Sequence, residues 1–155
     1  MGPVEVKRAA SAGFCFGVKR AIELAFKARA ENTGPIFTLG PLIHNPQVVS
    51  LLAEKGIEVI QDLAAAKEGT LVIRSHGVEP EVLAAAQRLG LKVVDATCPF
   101  VKRAQELARD LTKQGYTVVV VGDREHPEVR GIGGWTGGQA QVVENPAEVA
   151  RLPLA

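Results

Sequence analysis

The chain contains three histidines and two cysteines, and all five fall just ahead of a turn that reads as a helix start. Cys15 lies in "SAGFCFGVKR", His44 in "GPLIHNP", His76 in "RSHGVEP", Cys98 in "DATCPF" and His126 in "GDREHP". Proline suits the first turn of a helix, because its missing N–H is not needed there and its φ is already set. Pro46, Pro80, Pro99 and Pro127 therefore mark four of the starts, with Gly17 following Cys15 in place of proline. One such histidine would most simply be a cap or a solvated side chain; the same placement repeated for every histidine and cysteine points to a shared site.

Side chains of these types just ahead of helix N-termini have a definite chemistry. Free N–H groups and the positive end of the helix dipole favour thiolates and phosphates. Imidazoles that become charged on meeting a polyanion suit diphosphate recognition; bound metal is the competing use of the three histidines. The thiols of Cys15 and Cys98 are set among Phe14, Phe16 and Phe100, and apolar neighbours restrict solvent around a metal-bound thiolate. Gly13 and Gly17 let backbone approach a bulky group such as an iron–sulfur cluster. The wide separation of Cys15 and Cys98 excludes a compact zinc knuckle or a ferredoxin-type run. Glu128, two residues after His126, is placed either as a dipole-favoured first-turn carboxylate or as a proton carrier beside a bound polyanion.

The elements that must position these residues alternate. Strands are expected at 4–9, 36–40, 57–60, 70–75, 91–96, 116–122 and 140–144. Helices are expected at 18–31, 46–56, 80–90 and 99–115, with a weaker one opening at 127–134. Gly56, Gly90 and Gly115 close three of them as C-terminal glycines. Strand–helix alternation with short connections implies α/β architecture, with parallel sheets covered by helices. All five reactive residues would then lie at the carboxyl ends of strands, where open α/β sheets bind ligands. "TVVVV" reads as a strand buried on both faces, and "GIGGWTGGQAQ" as a loop around Trp135 and the weakest seam in the chain.

Composition narrows the function classes. At 155 residues, 46% hydrophobic and 23% charged, the chain has the makings of a folded domain with a substantial core. Eighteen basic against 17 acidic side chains give a net charge of +1, which disfavours a nucleic-acid partner. Charges at Glu5, Lys7 and Arg8 break any signal-peptide core, Val6 stands where a myristoylation motif needs Ser or Thr, and no apolar run approaches a membrane span. The expected compartment is the cytoplasm, where a standing disulfide is disfavoured. "GFCFGVKR" has the wrong spacing for a phosphate loop, with Arg20 where a hydroxyl should ligate magnesium, and no G-x-S-x-G elbow is present.

The stretches "AGFCFGVKRAI", "GPLIHNP", "RSHGV", "DATCPFV" and "GDREHPEVRG" together resemble the 4-hydroxy-3-methylbut-2-enyl diphosphate reductase family, also called IspH or LytB. The resemblance runs from Ala12 to Gly131. It implies a 4Fe-4S enzyme that removes the allylic hydroxyl of its substrate, using two electrons and protons, to give isopentenyl and dimethylallyl diphosphates. It further implies that Cys15 and Cys98 bind iron, that His44, His76 and His126 contact substrate, and that Glu128 delivers protons. Reduced ferredoxin or flavodoxin is the implied electron donor.

The family fold is similar to three α/β units arranged pseudo-symmetrically around the cluster, each giving one cysteine. On that reading residues 1–97 form the first unit, their opening strand belonging to a third, and residues 98–155 form a second, incomplete one. The chain stops near the middle of the family's usual length and has no third cysteine. A C-terminal portion or second subunit is therefore expected to complete the site. The alternative is a non-enzymatic iron–sulfur or diphosphate-binding module, or an inactive fragment.

Overall fold

A computed structural model describes residues 3–152, so the outermost residues of both expected units lie outside the described residues. The first sheet is formed by β1 (Ile36–Leu39), β2 (Ile57–Ile60), β3 (Thr70–Ile73) and β4 (Lys92–Asp95), in the order β2-β1-β3-β4. Every pairing in it is parallel, with Ile36 beside Ile57 and Thr70, and Leu71 beside Val93. β5 (Val119–Val121) and β6 (Gln141–Val143) form a separate two-stranded parallel sheet. The α/β class and the parallel pairing expected from the sequence are both present.

Helices α1 (Phe16–Glu31), α2 (Pro46–Glu54), α3 (Pro80–Arg88), α4 (Pro99–Lys113), α5 (Pro127–Trp135) and α6 (Pro146–Val149) complete the order. β3 is buried along its whole length, and its alternating side chains serve two cores. Val72 packs with Ala21, Ala25 and Ala28 of α1 and with Val48 and Leu52 of α2. Leu71 and Ile73 face the other way, toward Ala86 of α3 and Leu91. The alanine stripe of α1 brings that helix close to the sheet. The sheet thus has a helical layer on each face. Gly56, Gly90 and Gly115 end their helices with φ of 74°, 71° and 85°, the left-handed geometry that favours glycine.

Three expectations are corrected. The segment 4–9 forms no strand: Val4 and Val6 are 89% and 88% exposed, with no sheet edge beside them among the described residues. Residues 116–122 do not form a strand buried on both faces. Only 119–121 pair, β5 has a single neighbour, and Val121 is 80% exposed. The segment 131–141 is a loop only in its second half: α5 runs as far as Trp135, and residues 136–140 form the turn into β6. Its glycines permit the packing: a Cβ at Gly134 would sit within 2.7 Å of Glu79 Cβ, and Trp135 Nε1 donates to Val78 O at 3.0 Å.

Candidate functional site

Four of the five reactive residues follow a strand, and all five precede a helix. Cys15 is the exception to the first rule, since no strand leads into α1. It is the N-cap of α1, as Cys98 is of α4 and His126 of α5.

His44 is exposed between buried Ile43 and Asn45, whose side chain caps α2 by accepting from Val48 N at 3.0 Å. His76 sits on a tight turn in which Gly77 N donates to Arg74 O at 3.0 Å. Gly77 has a φ of 71°, so this turn specifically favours glycine. Buried Ser75 joins the neighbouring junctions through its backbone: its N–H donates to Leu42 O at 3.1 Å, and its carbonyl accepts from Cys98 N at 2.9 Å. The His126 ring is oriented by its own helix, with Nδ1 accepting from Glu128 N at 3.2 Å.

The three imidazoles converge. Ring centroids lie 4.6 Å apart for His44 and His76, 5.5 Å for His76 and His126, and 5.9 Å for His44 and His126. One ring nitrogen from each lies within 4.8 Å of the others, so a single small ligand can meet all three. Burial pushes the His76 pKa down from 6.5 to about 4, helped by the neighbouring His44, His126 and Arg74. His76 Nδ1 is buried and has no hydrogen-bond partner. Arg74 adds a half-buried cation to this edge, and its Nε donates to Gly77 O at 3.3 Å. A cavity of about 260 Å³ runs from Phe14 and Val18 to His44, Ser75 and His76, linking the segment next to Cys15 with two of the histidines.

The cysteine junctions are joined through α1. A Cβ on Gly17 would lie 2.6 Å from Cys98 Sγ, so only glycine lets the first turn of α1 pass this thiol undisturbed. Arg20 Nη1 donates to Thr97 O at 3.1 Å, fixing the same contact. Neither thiol is disulfide-bonded or serves as a side-chain cap. The Cys98 junction is also braced by Asp95, which accepts from Thr97 N at 3.0 Å and from Lys102 Nζ at 2.7 Å. Burial raises the Asp95 pKa, but these donors outweigh it and hold the carboxyl below its usual range.

The structure therefore brings the three histidines together, seats Cys98 beside the first turn of the helix that Cys15 caps, and puts Glu128 on the first turn after His126. Sequence reasoning missed Arg74, Ser75 and Gln105. The first two stand inside "RSHGV" and were legible there as neighbours of a reactive residue. Gln105 lies on the same helical stripe as Val101 and Ala108, and a polar residue in that register was its only signal.

Imidazoles and thiols set before the helix N-termini of parallel α/β units define the class: an α/β protein with its histidines clustered and its cysteines placed at helix starts. The chain belongs to the LytB protein family, whose profile matches residues 6–154. It is 55% identical over 150 residues to the 4-hydroxy-3-methylbut-2-enyl diphosphate reductase of Geobacter sulfurreducens, covering 97% of this chain and 53% of that protein. Among solved structures, (E)-4-hydroxy-3-methyl-but-2-enyl diphosphate reductase, the terminal enzyme of the non-mevalonate pathway, superimposes with a TM-score of 0.83 at 47% identity, over 92% of this chain and 52% of that one. The E-1-hydroxy-2-methyl-but-2-enyl-4-diphosphate reductase from Plasmodium falciparum gives a TM-score of 0.90 at 29% identity, over 94% and 46%. The chain spans about half the length of the relatives it matches.

Proposed function

We propose that this chain carries the substrate-binding histidines and two of the cluster ligands of a 4-hydroxy-3-methylbut-2-enyl diphosphate reductase. The observation that carries the reading is the convergence of His44, His76 and His126 within 4.8 Å at the strand-end edge. A diphosphate placed there meets three imidazoles and the Arg74 cation, and its charge favours protonation of His76.

Cys15 and Cys98 suit a 4Fe-4S cluster in their donor chemistry: two thiols, neither engaged in capping, one of them kept accessible by Gly17. They would supply two ligands, with the rest of the coordination and of the diphosphate site coming from a further portion or subunit. The cluster, when bound, supplies electrons from reduced ferredoxin or flavodoxin for cleavage of the substrate C–O bond. The residues of this chain hold the diphosphate, keep the reacting end beside apolar Phe14 and Val18, and move the proton. Glu128 carries that proton: its backbone N–H is bonded to His126 Nδ1, which ties its helix turn to the histidine cluster. The hydroxyl leaves as water after two electrons and protons are taken up.

The test is Glu128→Gln in the complete enzyme, with pyrophosphate affinity and turnover measured together. Affinity within about twofold of the parent with turnover lost supports the reading, whereas unchanged turnover overturns the role of Glu128.

A further inference from the structure

We infer that Gln105 is a positioning residue for His76, acting from the helix that begins at Cys98. It is only 2% exposed, lying on α4 about two turns beyond Cys98. Its Nε2 donates to His76 O at 3.4 Å. A Cβ on Gly77 would sit 2.5 Å from that nitrogen, and one on Gly131 of α5 would sit 3.0 Å from it. The amide is therefore wedged between the peptide that follows His76 and the helix that begins at His126.

Packing alone does not explain an amide there. Burying one costs free energy that an apolar side chain of the same volume avoids, unless its polar atoms are used. Here the donor is used on the backbone of His76. The ring itself has nothing comparable, since His76 Nδ1 is buried without a partner. His126, by contrast, is oriented by the Glu128 N–H. The place of the His76 ring thus depends on where its peptide is held, and Gln105 holds that peptide. Through Gly131 the same side chain sets the spacing between the His76 turn and α5. Cys98, His76 and His126 are in this way registered to one another by one buried amide.

The consequence for ligand binding rests on the proposed diphosphate site, and the experiment separates the two. Gln105→Met removes the donor at nearly constant volume in the 155-residue chain. Histidine NMR then reads the His76 titration midpoint, and pyrophosphate titration reads affinity. The groups bearing on the His76 midpoint are His44, His126 and Arg74, with Glu79 and Arg130 acting on Arg74. Release of the turn exposes the ring, so its midpoint should rise from about 4 toward 6.5, while the His44 resonances stay near their parental positions. At pH 8, where His76 is neutral in both proteins and only its position differs, the pyrophosphate dissociation constant should rise severalfold.

A purely structural role would lower thermal stability and shift all three imidazoles together, and that result would overturn the inference. So would an unchanged His76 midpoint in the folded variant. If Gln105→Met does not fold, Gln105→Leu also removes the donor to His76 O, and it should raise the His76 midpoint in the same direction. Failure of pyrophosphate to shift any histidine in the parent chain would count against the diphosphate site alone, since the midpoint still decides the role of Gln105.

Discussion

His76 is held neutral by its surroundings in the free chain, although it is one of the groups that would meet a polyanion. Its pKa lies at about 4 against 6.5 in an unfolded chain, because burial and the nearby His44, His126 and Arg74 all oppose a further positive charge. Between those values the unfolded state binds the extra proton, so this group weakens the fold as pH falls from 6.5 toward 4. The urea midpoint should therefore drop across that window, and His76→Asn should flatten the dependence while leaving the midpoint at pH 8 nearly unchanged. A bound diphosphate reverses the balance by favouring the imidazolium. Pyrophosphate binding should then tighten as pH falls from 7.5 to 6 and should take up protons, which calorimetry in buffers of different ionisation enthalpy measures directly. Binding that is independent of pH would remove the imidazoles from the site.

At the scale of elements, glycine and proline position the chemistry more than the strands do. Gly17 carries a prediction that separates site from fold. A methyl group there makes Cys98 Sγ turn away and Cys98 Cβ, at 3.1 Å, give by a few tenths of an ångström, against the up to about 1 kcal/mol by which alanine is favoured over glycine within a helix. Gly17→Ala should therefore leave the thermal midpoint within a few degrees of the parent while reducing iron taken up at Cys98, read by iron analysis after anaerobic reconstitution.

Helix starts were legible because each rests on a local rule: Pro46, Pro80, Pro99 and Pro127 all occupy first turns, and Gly56, Gly90 and Gly115 all end helices. The reactive residues were legible because they are tied to those starts. The strands were less so, since a β-branched run reports willingness to pair and not the presence of a partner. That is why residues 4–9 remain exposed and outside any strand, and why "TVVVV" supplies only a short edge strand. Gln105 was hidden for another reason: a buried amide is distinguished from a surface one by the backbone it meets, and His76 lies 29 residues away in sequence.

At the scale of the whole molecule, the surface around the cysteines is more apolar than a solvated edge requires. Phe14, Phe16 and Phe100 are 41%, 62% and 77% exposed, and they flank the two thiols in sequence. The second sheet stops at two strands, with Val119 and Val121 of β5 uncovered. Two thiolates are also fewer than a cubane cluster needs for retention. These features together predict a division of labour between this chain and the portion of its relatives that it does not span. Anaerobic reconstitution of the 155-residue chain with iron and sulfide should yield substoichiometric cluster, by iron counting and by visible and Mössbauer spectra. Adding the remaining portion of a close relative should raise the iron content to about four per complex and suppress binding of a hydrophobic dye to the aromatic surface. Dye binding should also fall in Phe16→Ser and Phe100→Ser, with little change in thermal unfolding because both side chains are already in water. A stoichiometric cluster on the chain alone would instead show that its two cysteines suffice, across a dimer if the cluster content tracks self-association, and would move the proposed reductase reading from a shared site to one that these residues complete themselves.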